Sequence, residues 1–499
     1  MQAVIDALLQ VGTLENLCLV IMGTAVGIFI GAMPGLSVNM GLALLFPVTF
    51  SVGGLGGIIM LLGIYCGAIY GGSITAILLR TPGTPASAAT TLDGYPMAIE
   101  NGQPGRALSI STTASTFGGI FSILCLICFA PLLAQVALTF SKPEYFALAI
   151  FGISMVTSVS AGSILKGVIG CLVGLWIATI GLDAMSGMER FTLGTLYLSG
   201  GVSFMPILIG LFALTQVFVN VEDIKNGQAK IPDLKIDGVL PSAADFKLTL
   251  PTLVRSSAIG TFIGCVPGTG GDIGSWISYN QAKTWARDSS NFGKGDPRGI
   301  AASESGNNAV VGGAFIPVLT LGIPGDGATA IILGALMVHG IQPGPLLFIN
   351  NPVEIYTIFI GLLLANALMG LMGFSLIRVF TKVVNVPKKI LLPIITVMAM
   401  LGTYSYSNSM PDVWIMIAAG VIGFIMHKCD MSVPGVIIGI ILGKLAEENF
   451  TGSLMMSDGS MAVFAENPIC AVLLVLSLVS LMSPTYKPLL RKIFAKNKD

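Results

Sequence analysis

The stretch GIFIGAMPG at Gly27–Gly35 is written a second time, at Gly260–Gly268, as GTFIGCVPG, with six of nine positions identical. Each copy closes an apolar run with Pro-Gly. A further motif follows each: PGTPASA at Pro82–Ala88 and PGDGATA at Pro324–Ala330, sharing P-G-x-x-A-[S/T]-A. The motifs lie 48 residues apart in the first half (Gly35 to Gly83) and 57 in the second (Gly268 to Gly325), so an insertion of nine relates the halves. The chain reads as a duplicated unit with two helix-breaking motifs per copy.

What the breaks interrupt follows from composition. Charged residues make up 10% of the 499 and hydrophobic ones 54%, with a mean hydropathy of +0.87. Soluble chains carry about a quarter charged residues, so this is an all-α polytopic membrane protein. Lys plus Arg and Asp plus Glu are both 25, which leaves no charge argument for a nucleic-acid partner. The eight cysteines lie mostly in apolar runs, against a disulfide framework. Cys125 and Cys128 form a C-x-x-C pair inside a helix without polar neighbours and read as packing, and two histidines are too few for a His-built metal site. The first 13 residues lack Lys and Arg, so the basic region of a cleaved signal peptide is missing and the first apolar segment is expected to stay.

Apolar segments long enough to span run over 14–33, 55–79, 107–135, 145–160, 164–181 and 202–221, and then over 253–266, 301–321, 328–349, 355–379, 390–404, 413–426, 433–445 and 469–482. Residues 222–252 turn polar. The organisation expected is a first repeat half (1–221), a cytoplasmic linker (222–252), a second half (253–485) and a basic cytoplasmic tail (486–499). Lys and Arg concentrate in the linker, in 378–389 and in the tail, which the positive-inside rule places in the cytoplasm. Counting crossings back from the linker puts the two repeats in opposite orientation, although Lys142 and Arg190 then fall outside.

Proline lacks an N–H and glycine weakens a helix, so Pro34-Gly35, Pro82-Gly83, Pro267-Gly268 and Pro324-Gly325 should each break a helix at membrane depth. Unpaired backbone costs several kcal/mol in hydrocarbon, so such breaks persist only when buried in protein or facing a wet cavity. Small polar residues surround them: Ser37 and Asn39, Thr84 and Ser87, Thr269 and Asp272, Asp326 and Thr329, with Gly71-Gly72-Ser73 and Gly312-Gly313 ahead of the later motif in each half. Half-helix N-termini hold carboxylates without a buried Arg or Lys, while hydroxyls and carbonyls suit Na⁺. Single Pro-Gly pairs also occur as plain loop turns. Four with matching flanks point to one shared anion site.

The block Ser303-Glu304-Ser305-Gly306-Asn307-Asn308 heads an apolar run. A carboxylate there is costly and usually functional. Glu304 reads as a proton or cation site, against the alternative of a helix cap at the membrane surface. Asn307 and Asn308 read as substrate contacts or caps. Asp93, Asp183 and Arg190 read as structural residues at interfaces. Two competing functions are an intramembrane serine hydrolase built on Ser73 with His339 as base, and a passive anion channel.

GAMPG, YGGSITAILLRTPGTPASAATTLDGYPMA, FGKGDPRGIAASESGNNA and LTLGIPGDGATA resemble the large membrane subunit of the tripartite tricarboxylate transporters, the TctA family, over nearly the whole chain. The resemblance implies a bacterial inner-membrane permease working with a small membrane subunit (TctB-like) and a periplasmic solute-binding protein (TctC-like) to import a carboxylate with a cation gradient. It carries over to Pro34 and Gly35, to Tyr70 through Ser87, to Pro267 and Gly268, to Glu304, Asn307 and Asn308, and to Pro324 and Gly325. Ser303 stands where the family often has proline. Asp326 stands where a small neutral residue is more usual: with Thr329 it is a candidate cation ligand, or it faces away, or it signals a different substrate.

Inward movement of one negative charge against an inside-negative membrane costs about 2.3 kcal/mol per 100 mV, so a trianion faces about 7 kcal/mol. No G-x-x-x-x-G-K-[S/T] motif occurs in the chain. Secondary transport coupled to Na⁺ or H⁺, with no other cofactor, is the expectation.

Overall fold

The computed structural model describes residues 2–33, 35–159, 164–183, 186–223, 240, 242–376, 379, 388–431 and 433–481. Pro34, most of the 222–252 linker, residues 380–387 and the 486–499 tail lie outside them. Among the described residues, seven helices are long and apolar enough to cross a membrane. The protein is an all-α polytopic membrane protein.

In chain order come α1 (Gln2–Val11), α2 (Leu14–Gly31), α3 (Val38–Leu45), α4 (Gly54–Leu79), α5 (Thr91–Tyr95), α6 (Pro104–Ala137), α7 (Lys142–Val159), α8 (Ile164–Ala178) and α9 (Leu196–Ser199). Then α10 (Phe204–Ile209) passes through a π turn at Gly210–Leu214 into α11 (Thr215–Asp223). The second half brings α12 (Ala243–Cys265), α13 (Gly270–Trp285), α14 (Pro297–Leu321), α15 (Gly327–Val338), α16 (Leu347–Asn350) and α17 (Pro352–Ser375). Helices Lys388–Ser407, Met410–Lys428, Val433–Met456, Val463–Glu466 and Pro468–Leu481 follow.

Three elements next to the later breaks depart from the apolar segments. Residues 328–349 read as one crossing, but α15 has 12 residues and ends at Val338, with His339 as its C-cap. At 1.5 Å per residue that is about 18 Å, little more than half a hydrocarbon core. Helix α12 starts at Ala243, well ahead of the apolar run, because Ser242 Oγ accepts from the Asp245 N–H (3.0 Å) and Asp245 sits in the first turn. Helix α13, GGDIGSWISYNQAKTW, is too polar to stand out by hydropathy.

The chain divides into two compact units, residues 1–135 with 205–424 and residues 136–204 with 425–499. In the first, α2 lies along α4 and α12 along α14. Gly23, Gly27 and Gly31 recur at every fourth position on α2, and Gly63, Gly67 and Gly71 on α4, so the helices meet backbone to backbone. A Cβ on Gly27 would strike Ile64 backbone, on Gly31 that of Ala68, and on Gly71 that of Ile28. In the second half, Gly260 meets Gly306, Gly264 meets Val310 and Gly313 meets Thr261 in the same order. The duplication seen in the motifs thus repeats contact for contact in the packing.

In the second unit, Phe146, Phe450 and Phe464 close over Ala147 and Cys470, and Gly174 on α8 passes Val436 at backbone distance. Strands β1 (Gly181–Leu182) and β2 (Glu189–Arg190) pair antiparallel, and Arg190 bridges Asp183 (3.3 Å) and Glu447. The structural reading of Asp183 and Arg190 agrees with that ion pair.

Asp245 also receives a two-pronged bond from Arg106: Nη2 to Oδ1 at 2.6 Å and Nε to Oδ2 at 3.0 Å. These bonds hold the Asp245 carboxyl below its usual range. The stability it contributes is therefore complete above the ordinary aspartate value of about 3.9 and lost as pH falls through the lower folded-state value. Arg106 is 42% exposed, so Arg106→Ala is expected to cost no more than about 1 kcal/mol at pH 7. Thermal unfolding in detergent checks this, with the gap to wild type closing in acid.

Candidate functional site

The helices that restart after the breaks meet crosswise within the first unit. Helix α3, following the first break, packs beside α15, which follows the fourth. There the Asn39 amide lies against Gly327, where a Cβ would meet Nδ2. Helix α13, following the third break, packs on the short turn Pro85–Ser87 that follows the second, with Gly271 against Ala86. Each break of one half is thus paired with a break of the other.

The freed backbone is reclaimed locally. Gly35 takes φ +86, open to glycine, and its carbonyl accepts from Gln216 Nε2 (2.5 Å) and Asn220 Nδ2 (2.8 Å) of α11. Ser37 Oγ caps α3 by accepting from the Met40 N–H at 3.1 Å. Beyond Pro82, the Gly83 N–H donates to Gly72 O (3.2 Å), and Ser87 Oγ donates to Thr84 O (2.8 Å). Pro267 and Pro324 are buried, and between them the Gly268 N–H donates to Gly325 O at 2.6 Å, tying the third break to the fourth. Thr269 Oγ1 serves the carbonyls of Ile263 (2.5 Å) and Val266 (2.8 Å) at the end of α12.

Asp326 caps α15. Its Oδ1 accepts from the Thr329 N–H (2.8 Å) and hydroxyl (2.7 Å), and its Oδ2 from the Tyr65 hydroxyl (3.1 Å), which reaches over from the first half. Tyr65 is fully buried. Nothing in its apolar surroundings in the sequence marked it out.

Glu304 is no cap. Asp296 caps α14, and Glu304 lies two turns inside with 0% exposure. Its Oε1 accepts from Thr90 Oγ1 (2.5 Å) and its Oε2 from Ser115 Oγ (3.1 Å), both first-half residues. Among the described residues no Lys, Arg or His forms an ion pair with it. A carboxyl group this deep with only hydroxyl partners is suited to take up a proton or a small cation. Glu304 and Asp326 have separate partner sets, and no three His, Cys, Asp or Glu side chains cluster as a metal site among the described residues.

Asn307 and Asn308 also lie inside α14 rather than at its cap. Asn308 Nδ2 donates to Glu304 O (3.0 Å), leaving Oδ1 unpaired. Asn307 has 0% exposure and neither amide atom has a hydrogen-bond partner, and the Thr84 hydroxyl, at 2% exposure, is likewise unpaired. Buried polar groups are nearly always paired, which makes these atoms candidates for contact with a ligand or water.

Ser73 falls elsewhere. Its hydroxyl donates to Tyr70 O (2.8 Å) and accepts from Ser111 (2.8 Å) between α4 and α6. His339 pairs with Thr49 (Nε2 to Oγ1, 2.8 Å) and stacks near Phe50. A serine–histidine couple is not what either makes. Cys128 is exposed and Cys125 partly so, which corrects their reading as core packing.

Asp93 is a clamp between halves. Oδ1 accepts the backbone N–H groups of Gly293 (2.8 Å), Gly295 (2.9 Å) and Asp296 (2.8 Å), and Oδ2 the Tyr279 hydroxyl (2.9 Å). Together with Glu304 it joins the loop after the second break to α14 and its approach.

Residues 17–438 match the family described as the tripartite tricarboxylate transporter TctA family. An uncharacterised 52.8 kDa protein in the TAR-I ttuC' 3' region of Agrobacterium vitis is 36% identical over 484 residues, 96% of each chain. A second Agrobacterium vitis protein, uncharacterised and in the TAR-II ttuC' 3' region, is 35% identical over 220 residues, 44% of this chain and 91% of its own. No solved structure matches the chain. With a family match across most of its length, and duplicated broken-helix motifs packed crosswise, the chain belongs to the tripartite tricarboxylate transporter TctA family.

Proposed function

We propose that the protein is the large permease subunit of a binding-protein-dependent secondary transporter that imports a di- or tricarboxylate across a bacterial inner membrane. The coupling ion is Na⁺ or H⁺. The carrying observation is the crosswise packing of the elements that follow the breaks, with buried, unpaired Asn307 against Gly271 and buried, unpaired Thr84 against Gly72. In this reading Pro34-Gly35, Pro82-Gly83, Pro267-Gly268 and Pro324-Gly325 frame one anion site, and two oppositely oriented repeats expose it to each side in turn. Half-helix N-termini supply partial positive charge without a fixed cation, which lets the anion leave as readily as it arrives. Glu304 holds a coupling ion. A small membrane subunit and a periplasmic solute-binding protein complete the assembly, the latter choosing the carboxylate.

Cations must at least cancel the anion's charge, which otherwise costs about 2.3 kcal/mol per charge per 100 mV. In proteoliposomes holding both membrane subunits and supplied with the binding protein, uptake is expected to collapse when Na⁺ and H⁺ gradients are both dissipated. Undiminished uptake without either gradient would show that ion coupling is wrong.

A further inference from the structure

We propose that the first unit contains two equivalent carboxylate half-sites, that Asp326 permanently fills one, and that a carboxylate of the transported anion fills the other on Asn307 and Thr84. This rests on the carboxylate-import reading above and assigns its contact residues. The equivalence comes from packing. Gly27 abuts Ile64 as Gly260 abuts Gly306, so the residues one step on, Tyr65 and Asn307, hold corresponding places on α4 and α14. Gly83 abuts the Gly31 carbonyl as Gly325 abuts that of Gly264, so Thr84 and Asp326 correspond in the same way.

One crosswise pair is complete in the structure: the Tyr65 hydroxyl, from the first half, donates to the Asp326 carboxylate, from the second. The other pair, Asn307 from the second half and Thr84 from the first, has the donors and no carboxylate, because position 84 is threonine. Asn307 is fully buried with both amide atoms unpaired, and Thr84 is 2% exposed with its hydroxyl unpaired. The Asn307 amide, through Oδ1, abuts Gly271 in the first turn of α13, a turn that already carries the Asp272 carboxylate. Two amide N–H groups and a hydroxyl form a donor set for a single carboxylate. The Asp326 carboxylate is in effect a tethered copy of the ligand at the sister site.

The assignment makes a self-occupancy test available. Thr84→Asp places a tethered carboxylate beside Asn307, as Asp326 stands beside Tyr65. The full chain, purified in nanodiscs, is titrated with citrate, succinate and acetate, following thermal protection and calorimetric affinity. Wild type is expected to be protected by at least one probe. Asn307→Ala should weaken that probe at least tenfold, and Thr84→Asp should abolish its protection while melting no lower than wild type without probe. Equal affinity in wild type and both variants would overturn the half-site and leave the import reading standing. No protection of wild type by any probe would overturn both. Should Thr84→Asp not accumulate, Asn307→Ala with Thr84→Val decides: unchanged probe affinity in both refutes the assignment, and matched weakening upholds it.

Discussion

Replacing Asp93 with alanine is expected to remove about 3–6 kcal/mol of stability, because it leaves three backbone N–H groups and the Tyr279 hydroxyl without their acceptor. The Asp296 N–H and the Tyr279 hydroxyl belong to buried residues and cost about 1–3 kcal/mol each when orphaned, whereas Gly293 is exposed and Gly295 half-buried, so water replaces part of what those two amides lose. Asp93→Asn keeps an oxygen for the three amides and loses the charge, so its cost should fall to about 1–2 kcal/mol. Chemical unfolding of the purified protein ranks the three chains. If alanine and asparagine fall together within about 0.5 kcal/mol of wild type, the usual range for a surface change, the loop is not held by this carboxylate.

Glu304→Gln is expected to bring gradient-driven uptake down to that of vesicles without the permease, while changing stability by less than about 1 kcal/mol. The amide has the shape of the carboxyl and its oxygen still accepts from Thr90 or Ser115. What it loses is the capacity to release a proton or hold a cation. Carboxylate binding measured calorimetrically should persist, which separates loss of coupling from loss of the anion site. Coupled uptake at wild-type rate in the glutamine variant would remove Glu304 from the ion pathway.

The duplication was legible because it lies in identical residues, GxFIGxxPG twice, and the structure repeats it down to which glycine meets which backbone. Helices α4 and α6 were legible because they are apolar over more than 18 residues. Helix α13 was not, since its sequence has the polarity of a loop and it folds by packing on α14 and on the Pro85–Ser87 turn. Glu304, Asn307 and Asp326 could be picked out because polarity beside an apolar run is conspicuous. Their partners could not: Thr90, Ser115 and Tyr65 lie 189 to 261 positions away, and only the folded chain brings them together. Ser73 was picked out by its glycine-rich neighbourhood, and its hydroxyl bonds Tyr70 O and Ser111 where α4 packs on α6.

The glycine seams of α2 with α4 and α12 with α14 limit how the machine can move. Side-chain layers can slide by repacking rotamers, but a carbonyl seated where a Cβ would otherwise stand has no slack: a shear of part of a turn would drive peptide into peptide. Each couple therefore travels as a single stiff mast. In the alternating-access reading proposed above, displacement would be absorbed at the prolyl-glycyl joints, where Gly35 and Gly268 occupy backbone angles only glycine adopts with ease. In that reading the joints that bend stand next to the residues that hold the anion, so gripping the load and tilting the mast would be linked.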